Sequence, residues 1–304
     1  MQRRYVTVDV FTERAFGGNP LAVVLDAGGL STAQMQAIAG EFNYAETTFV
    51  LPPRDAAHDA QVRIFTVTQE IPFAGHPNVG TAFVLAAQAA KPPARLAFEE
   101  GAGLVAVEIL KAEGKVIGAE LTAPQALQRL TQVSPEQVAS CISLSAADIR
   151  TEAHVPHIVS VGMPFLVVEL NSREALRRAN PDAAAFARTL PCDGAFAVYF
   201  YTRDVPASEK PCELQARMFF PGTSGLIEDP ATGSATVAAA ALLADLDPVR
   251  DGELKLQIGQ GFDLGRPSFL LTRVVKQSGK IISAHVGGRC VQMMEGTFRL
   301  EGQG

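Results

Sequence analysis

The sequence predicts an α/β (α+β) fold of two pseudo-symmetric halves, each a curved, mostly antiparallel sheet around a central helix. Three observations predict it. First, the chain of 304 residues repeats itself. His76-Pro77-Asn78-Val79-Gly80-Thr81-Ala82 reads H-P-x-x-G-T-A, and Asp229-Pro230-Ala231-Thr232-Gly233-Ser234-Ala235 reads D-P-x-x-G-S-A. Gln61-Val62-Arg63-Ile64-Phe65 is echoed by Gln215-Ala216-Arg217-Met218-Phe219, and Gly18-Asn19-Pro20 by Gly162-Met163-Pro164. The echoes keep their order, at offsets of 144, 154 and 153 residues. That spacing is far above the roughly 20–50 residues of repeat arrays, so it marks a duplicated domain. Second, Pro77–Ala90 and Ser234–Leu246 are rich in alanine and nearly without charge. A helix apolar all round must be buried. Third, strand-like alternation dominates the rest.

Taken in order, Tyr5–Phe11 alternates as a strand, and a Gly17-Gly18-Asn19-Pro20 turn leads to the strand Leu21–Leu25. Ser31 with Gln34 forms a capping box for a helix whose apolar positions are Met35, Ile38 and Ala39. Strands follow at Thr47–Leu51 and Gln61–Thr66. Pro77 then opens a helix, since its missing N–H is an orphan there anyway. Leu96–Leu121 gives strands broken at Gly101, Gly103 and Gly114. The second half repeats the plan. Strands are expected around 157–170, 194–202 and 213–220, helices around 172–179, 181–189 and 232–245, and strands near 254–258, 268–275, 281–287 and 297–300. The joint is placed near Ala123-Pro124. The first half then takes residues 1–122 plus about 283–304, the second 123–282, with the active site in the cleft between them.

The formal net charge of -6, with no basic run, argues against nucleic acid, whose binding needs Lys and Arg on phosphates. No stretch reaches the roughly 20 apolar residues of a membrane span. Met1 to Asp9 runs straight into a strand without a signal peptide's apolar core, so a cytoplasmic location is expected. The scattered Cys141, Cys192, Cys212 and Cys290 read as free thiols. A homodimer is the candidate assembly.

Both buried helices begin at the repeated motif. A helix start offers unpaired N–H groups and positive potential, which attract a carboxylate or phosphate. Gly75, Gly80 and Gly233 would let backbone approach the anion. His76 at a helix start would be kept neutral and able to exchange a hydrogen bond or proton. Asp229 is its counterpart, or simply a helix cap. Glu46 lies between a helix end and an apolar strand. It is either solvated or aimed into a pocket that raises its pKa toward that of a working base. His154-x-x-His157 has ligand-like spacing but no accompanying cluster, so no metal is expected. No P-loop or dinucleotide fingerprint occurs.

Gly18-Asn19-Pro20, Glu46-Thr47-Thr48-Phe49-Val50, Pro72-Phe73-Ala74-Gly75-His76-Pro77, Glu228-Asp229-Pro230-Ala231-Thr232-Gly233-Ser234-Ala235 and Gln260-Gly261-x-x-x-Gly265-Arg266-Pro267-Ser268 together resemble the PhzF (phenazine-biosynthesis-like) family. The resemblance runs from about residue 5 to 290. It implies a fold similar to diaminopimelate epimerase and an isomerase without cofactor. In the family's best-known activity a glutamate moves a proton within trans-2,3-dihydro-3-hydroxyanthranilate. Carried over, that glutamate is Glu46, with His76 and Asp229 as the other catalytic residues. Gly75, Gly233 and Ser234 would line the substrate carboxylate, and Asn19 and Thr232 complete the binding set. The chain departs from the phenazine enzymes at Ala45, where they have serine, and at Thr236-Val237-Ala238, where they have a Gly-Pro step. The resemblance therefore carries the proton-moving core, and the expected substrate is a small carboxylate-bearing metabolite. The two epimerase cysteines are absent from both helix starts. An amino-acid epimerase or racemase using Glu46 and Asp229 remains the alternative enzyme. A metabolite-binding protein without catalysis is the alternative of another class.

Overall fold

The structure, a computed structural model, describes residues 2–207, 212–222 and 225–300. Met1 and residues 208–211, 223–224 and 301–304 lie outside that set. The chain divides into two units, Met1–Leu121 with Gly287–Gly304, and Thr122–Val286.

The first unit contains β1 (Gln2–Val10), β2 (Asn19–Val24), α1 (Thr32–Phe42), β3 (Glu46–Leu51), β4 (Ala60–Thr66), β5 (Glu70–Ile71), α2 (Gly75–Gln88), β6 (Arg95–Glu100), β7 (Gly103–Ala112) and β8 (Lys115–Thr122). The second contains β9 (Gln128–Gln132), α3 (Pro135–Cys141), β10 (Ile149–Arg150), β11 (His157–Ser160), β12 (Pro164–Leu170), α4 (Arg173–Arg178), α5 (Ala183–Thr189), β13 (Val198–Thr202), β14 (Leu214–Gly222), β15 (Gly225–Asp229), α6 (Gly233–Leu246), β16 (Gly252–Gln260) and β17 (Ser268–Gln277). The long β18 (Lys280–Arg299) begins in the second unit and ends in the first.

The strand pairings carry the duplication. In the first unit β1–β2, β3–β4 and β6–β7 are antiparallel, while β2–β3 and β4–β6 are parallel. In the second, β11–β12, β13–β14 and β16–β17 are antiparallel, while β12–β13 and β14–β16 are parallel. Each strand of one series therefore has a counterpart ten places along. In the first unit, β7–β8, β8–β18 and β18–β1 close the sheet on itself around α2.

Both central helices are buried nearly all round, as their uncharged sequences require. α2 packs on β1, β2, β3 and β7, and α6 on β11, β12, β16 and β17. Further helices cover a separate apolar layer in each unit. α1 places Met35, Ile38 and Ala39 against Val24, Phe49 and Phe65. α3, α4 and α5 cover Ile158, Leu166, Val168, Val198 and Phe200. The Ser31–Gln34 capping box forms as expected, and Asn43 ends α1 in the left-handed region at φ 53°.

Several expectations are corrected. α2 begins at Gly75, not Pro77, because any first-turn N–H is an orphan and proline is tolerated at the third position as well as the first. α3, β9 and β15 were not expected. The strand expected at 194–202 starts at Val198, after a turn at Asp193-Gly194. The two last expected strands are one, β18, which runs through Gly287-Gly288 without a break.

Candidate active site

In the first unit, Asn19 opens β2, Glu46 opens the adjacent parallel β3, and Leu21 lies opposite Glu46. Gly75 and His76 are the first two residues of α2, and both are buried. Three elements thus bring Asn19, Glu46 and His76 together. The Asn19 amide nitrogen lies 3.4 Å from His76 Nδ1, and His76 Nε2 lies 3.6 Å from Glu46 Oε2. Burial pushes the His76 pKa down to about 3, so the ring is neutral at neutral pH. Its single proton belongs on Nε2. Nδ1 faces the amide donor, and Nε2 faces a carboxylate that can only accept. At 3.6 Å that N–H is aimed at Glu46 without a bond of normal length. The Glu46 side chain is 19% exposed, so it is reachable by a ligand.

In the second unit, Asp229 is the last residue of β15, and Thr232 precedes α6, whose first two residues are Gly233 and Ser234. Asp229 is therefore a strand end and not the helix cap its sequence suggested. Its Oδ2 accepts the Thr232 hydroxyl hydrogen bond. Gln260, fully buried at the end of β16, organises the loop. Its amide donates to the Asp229 carbonyl at 2.8 Å and to Thr232 Oγ1 at 3.1 Å, and its Oε1 accepts from the Thr232 N–H at 3.1 Å. The Ser268 hydroxyl donates to the Pro230 carbonyl at 3.0 Å. Gly261, at φ 75°, passes so close that a Cβ would stand 2.6 Å from the Pro230 oxygen. Sequence reasoning gave no role to Gln260 or Ser268, although both lie in the Gln260–Ser268 string that carries part of the resemblance.

Neither central helix has a side-chain cap: α2 follows Ala74 and α6 follows Thr232, and neither side chain bonds the first turn. The first-turn N–H groups are thus not occupied by a cap. The structure also corrects the register of the repeat. Phe65 pairs with Glu70 across β4–β5, and Phe219 with Glu228 across β14–β15. Arg63 binds Glu70 through Nε at 2.7 Å and Nη2 at 2.6 Å, and Arg217 binds Glu228 through Nε at 2.8 Å and Nη2 at 2.7 Å. Each arginine also lies over the phenylalanine two residues on, at 5.2 and 4.8 Å. From Glu70 to Gly75 and from Glu228 to Gly233 the chain advances equally. His76 therefore corresponds to Ser234, not to Asp229. Gly80, matched to Gly233 by the strings, lies in the second turn of α2. A Cβ there would be 2.6 Å from Leu21 Cδ2 and 2.8 Å from Val10 Cγ2, so it serves helix–sheet packing, not anion approach.

His154 and His157 do not form a pair: His154 Nε2 contacts the Tyr201 hydroxyl at 2.8 Å, and His157 Nε2 the Leu130 carbonyl at 3.1 Å. Among the described residues no helix is long and apolar enough to cross a membrane.

The family described as phenazine biosynthesis-like protein (PhzC-PhzF) matches residues 8–296. An uncharacterized isomerase of Mesorhizobium japonicum is 39% identical over 302 residues, covering 97% of this chain and 98% of that protein. Trans-2,3-dihydro-3-hydroxyanthranilate isomerase of Pseudomonas chlororaphis is 35% identical over 300 residues, covering 97% and 99%. The crystal structure of a PhzF family protein of Bacillus anthracis superposes with a TM-score of 0.87 at 26% identity, over 99% of this chain and all of that one. With one family spanning nearly the whole chain, and relatives aligned almost end to end, the chain belongs to the phenazine biosynthesis-like (PhzC-PhzF) family and is an isomerase.

Proposed function

We propose that the chain is a cofactor-independent isomerase that relocates a proton on a small carboxylate-bearing metabolite, with Glu46 as the acid/base. One observation carries this reading: a partly exposed carboxylate faces the N–H of a buried, neutral imidazole. Glu46 would take a C–H proton as carboxylate and return it, as the acid, to another carbon on the same face. The neutral His76 would donate its Nε2 hydrogen toward the Glu46 carboxylate or toward negative charge developing on the substrate. Asn19 would fix the ring. In the first unit Gly75, and in the second Thr232, Gly233 and Ser234 with Asp229, would each offer polar groups for an anion at an uncapped helix start. Neither helix start carries a cysteine, so a two-thiol racemase is disfavoured.

Trans-2,3-dihydro-3-hydroxyanthranilate, named for the Pseudomonas relatives, is the first substrate to test. Purified protein in deuterated water should convert it while retaining substrate hydrogen or labelling the receiving carbon. Glu46→Gln should lose about 10²–10⁴-fold in turnover, the usual contribution of positioned acid–base catalysis. Wild-type turnover by that variant would refute the assignment. Label appearing only at an inverted stereocentre would favour the epimerase reading instead. Activity abolished by chelator and restored by zinc would overturn cofactor independence.

A further inference from the structure

The turn joining β6 to β7 packs against the entry to α2. The Ala102 N–H donates to the Pro72 carbonyl at 3.0 Å, and a Cβ on Gly101 would stand 3.0 Å from Pro72 Cα. Glu100, the last residue of β6, is thereby brought beside Asn78 in the opening turns of α2. The Asn78 amide nitrogen is engaged by the Ala74 carbonyl at 3.0 Å, which clamps the residue preceding α2. The amide oxygen of Asn78 is left over. It is buried, and so are both carboxyl oxygens of Glu100, and none of the three has a hydrogen-bond partner. Three buried acceptors without a donor are costly, at about 1–3 kcal/mol for each unsatisfied group. One proton pairs two of the three atoms: a protonated carboxyl becomes a donor, and Asn78 Oδ1 is a buried acceptor without one.

We propose that Glu100 is a positioning residue for the His76 site, its carboxylic O–H donating to Asn78 Oδ1 and fixing the helix start on which His76 stands. The inference rests on His76 belonging to the functional site. Burial pushes the Glu100 pKa up to about 8, opposed by the Asn78 amide, so the acid form prevails at neutral pH. No cation among the described residues pairs with Glu100. Along β6, Glu99 is occupied elsewhere, by the Arg54 and Asp55 N–H groups and by His58 Nδ1 at 2.9 Å. From α2 the titratable neighbour is His76 itself, which burial keeps neutral. Above pH 8 the ionised carboxyl would lose the O–H it offers Asn78 Oδ1, and the first turn of α2 would shift.

Titration of the whole protein by NMR, with glutamate Cδ and histidine ring nitrogens labelled, tests this without any substrate. One glutamate carboxyl should titrate near pH 8 and vanish from the spectrum of Glu100→Gln. The His76 ring nitrogens should shift with the same midpoint in wild type and stay constant in Glu100→Gln, whose neutral amide can still donate. Turnover should fall about tenfold between pH 7 and 9 in wild type, as about a tenth of Glu100 stays protonated one unit above its pKa, and less in the glutamine variant. Should Glu100→Gln not fold, the wild-type coupling of one high-titrating glutamate to the His76 ring still decides. If every glutamate titrates below pH 6, or the His76 ring is unmoved through that transition, the proposal is wrong. Failure of the Glu46 assignment would show separately, as retained turnover in Glu46→Gln, and would leave these titrations as they are.

Discussion

At the scale of single residues, the His76 tautomer is set by what stands on either side of the ring. Asn19 supplies a donor to Nδ1 and Glu46 an acceptor to Nε2. Asn19→Asp would reverse the first of these. A carboxylate at Nδ1 calls the proton there, or charges the ring outright. Turnover should fall by about tenfold or more with KM little changed, and ring nitrogen shifts should report a protonated Nδ1. Wild-type nitrogen shifts with the proton already on Nδ1 would contradict the tautomer. Asn19, Glu46 and His76 were each legible in the sequence, because they stand in or beside turn and helix-start strings. Gln260 and Glu100 were not. Each acts through partners about 20–30 residues away in the chain, on a neighbouring strand or helix, and nothing local to a Gln at a strand end or a Glu before a Gly announces a buried partner.

At the scale of elements, the two Ala-rich helices were readable from composition alone, but their starting residues were not. The strings H-P-x-x-G-T-A and D-P-x-x-G-S-A align by identity, yet the first lies within α2 and the second spans the end of β15 and the start of α6. Glycine in the two strings does different work, which a letter match cannot show. Ser134 and Gln137 form the same capping box as Ser31 and Gln34, so α3 carried a readable signal too. The strands expected near 281–287 and 297–300 are one, because β18 continues through Gly287-Gly288. The packing role of Gly80 is testable. Gly80→Val gains nothing from helix propensity that offsets forcing Leu21 and Val10 aside in a closed core, and overpacking costs about 1–3 kcal/mol. The urea midpoint should drop accordingly. A variant as stable as wild type would mean α2 does not lie against β1 and β2 as closely as described. Gln260→Leu should act locally, stranding the buried Thr232 N–H and Asp229 carbonyl. It should weaken substrate binding or turnover while the far-ultraviolet circular dichroism stays that of the wild type.

At the scale of the whole molecule, the dependence of stability on pH follows from a few shifted groups of known sign. The fold prefers neutral His76, so that contribution is present above the unfolded value of 6.5 and is lost as pH falls toward about 3. The fold also prefers protonated Glu100. Its contribution is full below the unfolded value of 4.5 and is lost as pH rises toward about 8. Between pH 4.5 and 6.5 the two slopes oppose each other. Below 4.5 the loss from His76 is joined by that from Glu99, whose carboxyl is held down to about 2 chiefly by the Asp55 N–H, with His58 and the Arg54 N–H. Between 6.5 and 8, Glu100 is the one described group with a resolved shift whose titration spans the interval. His154 and His157, also pushed down by burial, add to the His76 slope, so the urea midpoint should fall as pH drops below about 6.5 and fall again toward pH 8. Glu100→Gln should flatten the alkaline fall and leave the acid one. His76→Asn should soften the acid fall and leave the alkaline one. Midpoints taken at half-unit steps from pH 3 to 9 for the three proteins separate these contributions. A wild-type midpoint that rises from 6.5 to 8, or an alkaline fall that survives in Glu100→Gln, would remove Glu100 from this account, because no other described group with a resolved shift loses its contribution as pH rises through that interval.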